Sequence, residues 1–501
     1  MMNIMKYPFH PLPTDIFFYA IVLLIILGAC LTALKPHLCE PWRRVFRRPL
    51  GMVSVVIILC YLLIGLLDSV HFKYSRQPDV SSSSKLTCPS GYGTYYPANF
   101  DHANLSLLDA AFFHVNAISE KRYSAPLALT EFDSRNHKRE GVFVNGKYFP
   151  RLCYVGGDTL SSSHAMDIML HILKGVGQSF AVLLSLMLLI FLVRWIFHWF
   201  RSHEFVSSLT FELCRWKRLL SGSSPLAWRS AIFTVSGIVT LFFILAQLSL
   251  KYHVFGTDKI GVDVFYVSLK SIRTGLLIGF ISILFMLPFA LLLGLLAGYF
   301  GGWVDDIIQY VYTTVSSIPG VLLISACLLI LRAYLDQSSS GVMLWGYNLS
   351  ESVYRDDLQF LGLCAILGLT GWAGLCRLLR AETIKLRGQP FVVASRSLGQ
   401  RPIRILFKHI LPNVVHIILI TVVLDFSGLV LAEAVLTYVG VGVPSSIHSW
   451  GNMINAARLE LSRAHAVWWP LVSAMFFMFV FVLSINLFAD VVRDAFDPRC
   501  K

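Results

Sequence analysis

Uncharged apolar runs recur nine times along the chain, near 16 to 34, 50 to 67, 175 to 193, 230 to 250, 274 to 297, 308 to 331, 358 to 376, 414 to 436 and 466 to 489. Each holds about 18 residues or more, enough to carry a helix across a ~30 Å hydrocarbon layer, where a helix satisfies its own backbone hydrogen bonds. Polar residues collect between the runs and do not alternate within them. The pattern predicts an all-α polytopic membrane protein with about nine transmembrane helices. The first run starts only after Asp15 and shows no Ala-x-Ala cleavage site, which reads as a retained helix, not a removed signal peptide.

Composition agrees: 501 residues that are 56% apolar and 14% charged do not describe a soluble domain with one core and a wet surface. A net charge of +13 raises the question of nucleic acid. The basic residues, however, group at Lys35 to Arg48, Arg201 to Arg229, Arg377 to Lys408 and Arg493 to Lys501, and nine spans put all four groups on one side. That is the distribution that holds loops in the cytoplasm, so lipid and not nucleic acid explains the charge, with the N-terminus outside and the C-terminus inside. The expected division is 1–67, N-terminal spans; 68–170, an inserted extracytoplasmic domain; 171–227, an extra span and a basic cytoplasmic segment; and 228–501, a transmembrane unit with a cytoplasmic loop at 377–413.

That loop is the most informative stretch. From Arg377 to Lys408 its basic residues face a single acid, Glu382. Pro390 suits the first turn of a short helix and Gly399 its left-handed close. Pro402 opens a second helix, with Ile403, Leu406, Phe407 and Ile410 at helical spacing on one face and Pro412 as its end. The small side chains of Ala394, Ser395 and Ser397 would let another protein approach the first helix closely.

The segment resembles the EAA loop of ABC importer permeases, the cytoplasmic coupling helix that docks on an ATPase subunit. Ala394, Ser395, Gly399, Leu411 and Pro412 match its pattern; Val393 stands where an acid is usual and His409 where Ile is usual. Further landmarks follow in family order. HVFGTDKIGVDVF at 253 to 265 is similar to the HPLGTDxxGRD segment of the C-type permease subunit of dipeptide, oligopeptide and nickel importers, with Val262 in place of Arg. LLLGLLAGYFGGWVDD at 291 to 306, SIPGVLL at 317 to 323, LAEAVLTYVGVGVPSSIHSWGNMI at 431 to 454 and RDAFDPR at 493 to 499 resemble the same subunit. FRRPLGMVSVVIIL near 46 to 59 resembles its first span more weakly, and 73 to 224 matches none of these landmarks.

The resemblance implies a six-helix permease core in a multi-pass bacterial inner-membrane protein. It also implies a heterodimer with a homologous permease, two cytoplasmic ABC ATPase subunits that carry ATP and Mg, and a periplasmic solute-binding protein. No cofactor bound by this chain, no metal and no catalytic residue is expected. Cargo stays open among dipeptides, longer peptides, antimicrobial peptides and nickel.

Other residues are read from chemistry alone. Asp425 and Glu433 fall inside the eighth run, where carboxylates usually face protein or water. Eight residues apart, they lie ~12 Å along a helix and ~80° apart in direction. Lining one cavity is one reading; interfacial placement of Glu433 and a packing partner for Asp425 is the other. Cys88 and Cys153 are the only cysteines of the 68–170 block, and an oxidising outer compartment would permit a disulfide between them; two free thiols are the alternative. Gly294, Gly298, Gly301, Gly302, Gly368, Gly371 and Gly374 read as close-packing surfaces. There is no GxxxxGK[ST] loop and no HExxH pair. A membrane-embedded enzyme and a ligand-binding membrane scaffold remain as rivals.

Overall fold

The computed structural model describes residues 12–34, 36–73, 86–87, 94–95, 104–112, 115, 120, 122–133, 141–144, 147–150, 152, 164–202, 226–337, 343–344, 347–348, 352–463 and 465–496. In chain order the helices are α1 (Pro13–Leu34), α2 (Pro36–Arg47), α3 (Pro49–Ser69), α4 (Leu107–Ala111), α5 (His164–Ser202), α6 (Trp228–Ser249), α7 (Val264–Phe300) and α8 (Gly302–Ser317). They continue with α9 (Gly320–Gln337), α10 (Ser352–Arg387), α11 (Pro390–Ser397), α12 (Pro402–Ile405), a π-helical turn Leu406–Ile410, α13 (Leu411–Val439), α14 (Trp450–Glu460) and α15 (Trp469–Phe496).

Among the described residues nine stretches are long and apolar enough to cross a membrane: α1, α3, α5 as far as Phe197, α6, α7, α9, α10 from Tyr354, Pro402–Val439 taken together, and α15. Eight of the nine predicted runs lie within or along these helices. The sixth, 308 to 331, is not one helix. Ile318 is extended (φ −86°, ψ 132°) because the residue before Pro319 is forced out of the helical region, so α8 stops at Ser317 and the spanning helix is α9.

The centre of the bundle is α7, packed on α10, α13, α3 and α15. Small residues explain how closely α7 and α10 approach: a Cβ at Gly294 would stand 2.9 Å from that of Leu379, and one at Gly298 2.5 Å from that of Thr383. Gly368 sits as tightly against Phe285, at 2.9 Å. Gly301 and Gly302 do not share this role, for they turn the chain into α8 with φ 66° and 56°, and Gly374 faces open space. Around the core, α1 lies on α7 and α10, while α5 pairs with α6, which leans on α3.

Within 68–170 the described pieces include short antiparallel pairs, and two stretches are tied to the bundle. Strand β1 (His71–Lys73) continues from α3 and pairs with Asn104–Ser106, in register His71 to Ser106. Ser106 then caps α4 through a reciprocal box with Asp109. Residues 120 to 133 lie along the loop before α7: Ser124 N–H donates to Thr257 Oγ1 at 2.7 Å, and Leu127 N–H to the His253 carbonyl at 3.0 Å. Cys88 and Cys153 lie outside the described residues.

The loop 253 to 263 is held by its own polar groups. His253 Nδ1 is 2.7 Å from Asp263 Oδ2, and the other Asp263 oxygen caps α7 by accepting from the N–H groups of Phe265 and Tyr266. Trp469 Nε1 donates to the Thr257 carbonyl at 3.0 Å, which fixes the loop to α15. Its motif is thus a folding device for the entry to α7.

Candidate functional site

The coupling segment is built by two prolines and a glycine. Gln389 is extended, Pro390 occupies the first helical position, and Val392 and Ser395 turn inward from α11. Gly399, at φ +72°, ends the helix: its N–H donates to the Arg396 carbonyl and that of Gln400 to the Ser395 carbonyl. This pair of bonds satisfies carbonyls the helix leaves open and needs a left-handed residue. Ser395, expected on an open small face, is buried and donates to the Phe391 carbonyl, whereas Val393, Ala394 and Ser397 are exposed.

Pro412 does not end the second helix. Leu411 N–H reaches back five residues to the Leu406 carbonyl, so a π turn absorbs the N–H that proline lacks and α12 runs on into α13. Pro412 lies in the first turn of α13, where no donor is required. The turn also rotates the expected apolar face. Leu406 and Ile410 are buried with Ile405, while Ile403 and Phe407 stand in the open. His409 is half-buried, and its Nε2 has no hydrogen-bond partner among the described residues.

The result is a platform of two short helices that carries Phe391, Val393, Leu398, Ile403 and Phe407, all large, apolar and exposed. It is braced from behind. Arg380 on α10 donates to Asp305 on α8, with Nη2 to Oδ2 at 2.7 Å, and these bonds hold the Asp305 carboxyl below its ordinary pKa. Arg387 Nη1 donates to the Tyr299 carbonyl at the end of α7.

Asp425 and Glu433 are not brought together. Glu433 is buried, accepts from Thr437 Oγ1 at 2.8 Å, and backs onto Gly451, so it pins the far end of α13 to α14. Asp425 is half-buried with no hydrogen bond or ion pair to a described residue. Thr437 also lines a cleft of ≈ 400 Å³ at that far end, together with Arg332, Asp356, Gln359 and Asn452. Glu433 is therefore one side chain away from open space and is not in it.

A larger cluster of charge escaped the reading by runs. Asp15 at the start of α1 is fully buried; it accepts from Arg273 Nη2 at 2.6 Å and Nε at 3.1 Å and from Ser69 Oγ at 2.5 Å, and lies 2.8 Å from His71 Nδ1. Asp357 at the start of α10 accepts from the Thr14 N–H and hydroxyl. Beside them Asp68 accepts from Ser106, and Asp109 from Lys270 Nζ at 2.8 and 2.9 Å and from the Tyr266 hydroxyl. Burial opposes the Asp109 charge, but Lys270 and these bonds prevail and hold its pKa down. The cluster joins α1, α3 and the 71–109 segment to α7 and α10.

His448, between α13 and α14, faces this group, with its ring centroid 6.3 Å from that of Tyr266. Burial and then the Lys270 charge push its pKa from the ordinary imidazole value down to about 4. The folded state therefore keeps the ring neutral, and the unfolded chain binds the proton first as pH falls. The contribution is whole above about pH 6.5 and is lost between there and about pH 4. His448→Gln is expected to flatten that part of the melting-temperature curve of the detergent-solubilised chain; an unchanged slope would assign the loss to other groups.

Residues 290–501 match the family model described as binding-protein-dependent transport system inner membrane component. A putative peptide permease protein of Brucella suis biovar 1 is 32% identical over 250 residues, covering 50% of this chain and 74% of that one. The dipeptide transport system permease protein of Alkalihalophilus pseudofirmus is 30% identical over 249 residues, with 50% and 73% covered. The glutathione transport system permease protein of Pectobacterium atrosepticum is 32% identical over 250 residues, with 50% and 73% covered. The platform, Asp425 and Glu433 all fall within the matched residues.

Proposed function

The chain belongs to the family of binding-protein-dependent transport system inner membrane components, and from that premise we propose that it is the permease subunit of an ATP-driven importer of peptides. It is a multi-pass inner-membrane protein. In this reading residues 228–501 are the transport unit, and the platform from Pro390 to Pro412 faces the cytoplasm and docks on an ATPase subunit. ATP and Mg are held by two such subunits, a homologous permease completes the pathway, and a periplasmic solute-binding protein delivers peptide to the far end. The chain itself performs no catalysis.

One observation carries the reading: five exposed apolar side chains stand on the short helix α11, its C-cap, α12 and the π turn, a segment joined directly to the spanning helix α13. Closure of two ATPase subunits would push α11, and an unbroken path of backbone would pass the movement to Glu433 and α14. The relatives named for peptides, dipeptides and glutathione support the cargo class.

Purification in mild detergent from cells that also carry the ATPase and partner-permease genes tests it. Stoichiometric ATPase subunits, together with uptake of a labelled dipeptide that stops when ATP is depleted, are expected. A chain that purifies alone, stable and without ATPase, supports an enzyme or scaffold instead.

A further inference from the structure

The helix α2 runs along the end of the bundle that carries the basic segments, and its two faces differ sharply. Trp42 and Val45 face α15: the Trp42 ring lies 5.6 Å from Phe496 and 6.5 Å from Phe488, and Val45 is fully buried against Val491 and Val492. At helical spacing on the opposite side stand Glu40, Arg43, Arg44 and Arg47. With Ala33 and Cys39 they line a cleft of ≈ 390 Å³ between α2 and the end of α1. That volume falls in the range of about 300–1,000 Å³ usual for small-ligand sites.

Three guanidinium groups thus surround one cleft with a single acid. Arg44 is 3.3 Å from Glu40, while Arg43 and Arg47 have no ion-pair partner among the described residues. At helical spacing from Ala33, which lines the cleft, α1 presents Ile26, Ala29 and Cys30, all exposed. The arrangement offers a double-charged recognition site at one end and an open apolar track leading away from it along a membrane span.

We propose that this cleft binds the phosphate of an anionic phospholipid, with one acyl chain lying on Cys30, Ala29 and Ile26. Planar guanidinium groups match phosphate oxygens two at a time. A basic amphipathic helix beside a span is also where a negatively charged leaflet holds a protein. A free phosphate would use the arginines but leave the exposed track of α1 without purpose, and that track runs on from Ala33 of the cleft. The orientation proposed above names the leaflet as the cytoplasmic one; the site itself does not depend on any ATPase.

The test uses the full-length chain in detergent, titrated with phosphatidylglycerol or with zwitterionic phosphatidylcholine, and reads lipid retained per chain by native mass spectrometry. Wild type is expected to retain one phosphatidylglycerol in preference to phosphatidylcholine. Arg43→Gln with Arg47→Gln is expected to weaken that binding about 30-fold, the effect of two basic residues beside an anionic lipid. Glu40→Gln removes the opposing charge and frees Arg44, so it is expected to tighten binding about fivefold. This variant keeps the question open to refutation should the double arginine variant fold poorly. Arg458→Gln, at the other end of the bundle, is the control and is expected to change nothing. Unchanged affinity in the double variant, weaker binding in Glu40→Gln, or an equal loss in Arg458→Gln overturns the site. Retention of inorganic phosphate with no preference for phosphatidylglycerol over phosphatidylcholine overturns its assignment to phospholipid. Because ATPase is absent from the experiment, its outcome is separate from that of the co-purification above.

Discussion

Replacing Arg273 by Met is expected to lower the stability of the chain by about 3–5 kcal/mol, the usual result of removing one partner from a buried ion pair. The side chain is 11% exposed and its partner Asp15 is 0% exposed, so no water replaces the lost bonds. Asp68 and Asp357 lie close enough for Arg273 to balance them as well, at 1% and 4% exposure. Its removal leaves three buried carboxylates dependent on Lys270 and His71. Asp15→Asn is expected to do less harm, since Arg273 would keep two acidic neighbours. Combining Asp15→Asn with Arg273→Met should recover part of the loss, as the carboxylate left without its cation would be gone. Thermal melting in detergent and the amount of chain in membranes give the order. Wild-type melting in Arg273→Met would mean that the cluster does not hold α1 against α7.

Gly399→Val is expected to spare folding and to impair coupling. Nothing lies within 4 Å of where a Cβ would stand, so the substitution meets no neighbour and its whole effect is conformational. At φ +72° a residue with a Cβ is strained by about 1 kcal/mol or more, and a β-branched one by more than that. The backbone relieves the strain by leaving the left-handed region, which breaks the bonds from Gly399 and Gln400 and swings Arg401 and Pro402. Ile403, beyond the turn, is then displaced relative to Phe391 and Leu398. A docking loss of ~1.4 kcal/mol is about tenfold in ATPase affinity. Uptake should fall at least as far, while membrane level and melting temperature change little. Gly399→Asn, which tolerates the left-handed region, should retain most activity. Val393→Glu should be accepted because the side chain is half exposed. Full uptake and tight ATPase binding in Gly399→Val would show that α11 is an ordinary interfacial helix.

The two variants differ in how far the residues behind them could be read. Gly399 was legible because its signal is local: a proline nine residues before, small residues between, and a glycine where only glycine is unstrained. Pro412 is hard to read from sequence for a related reason. Proline ends a helix only when the clash with the preceding turn has no relief, and a π turn supplies relief that depends on where Leu406 and Ile410 are packed. Pro319 shows the opposite error, a local break hidden inside a run whose hydropathy continues on both sides.

Length and polarity of the runs were enough to set the number and order of the spanning stretches among the described residues, because the hydrocarbon layer acts on every residue through one-dimensional properties. Asp15, Asp68, Arg273 and Asp357 each stand one residue beyond a run that was read correctly, and hydropathy had no further use for them. Only tertiary structure could bring them together: the apolar runs of α1, α7 and α10 begin, and that of α3 ends, at the same level of the bundle, so four charges that each look like an ordinary span boundary become one buried network. The same holds for Glu433, whose Thr437 bond is visible in spacing but whose contact with Gly451 depends on how α14 folds back. Pairing across distant helices is a property of packing, and packing is decided by which surfaces fit once all the spans are in place.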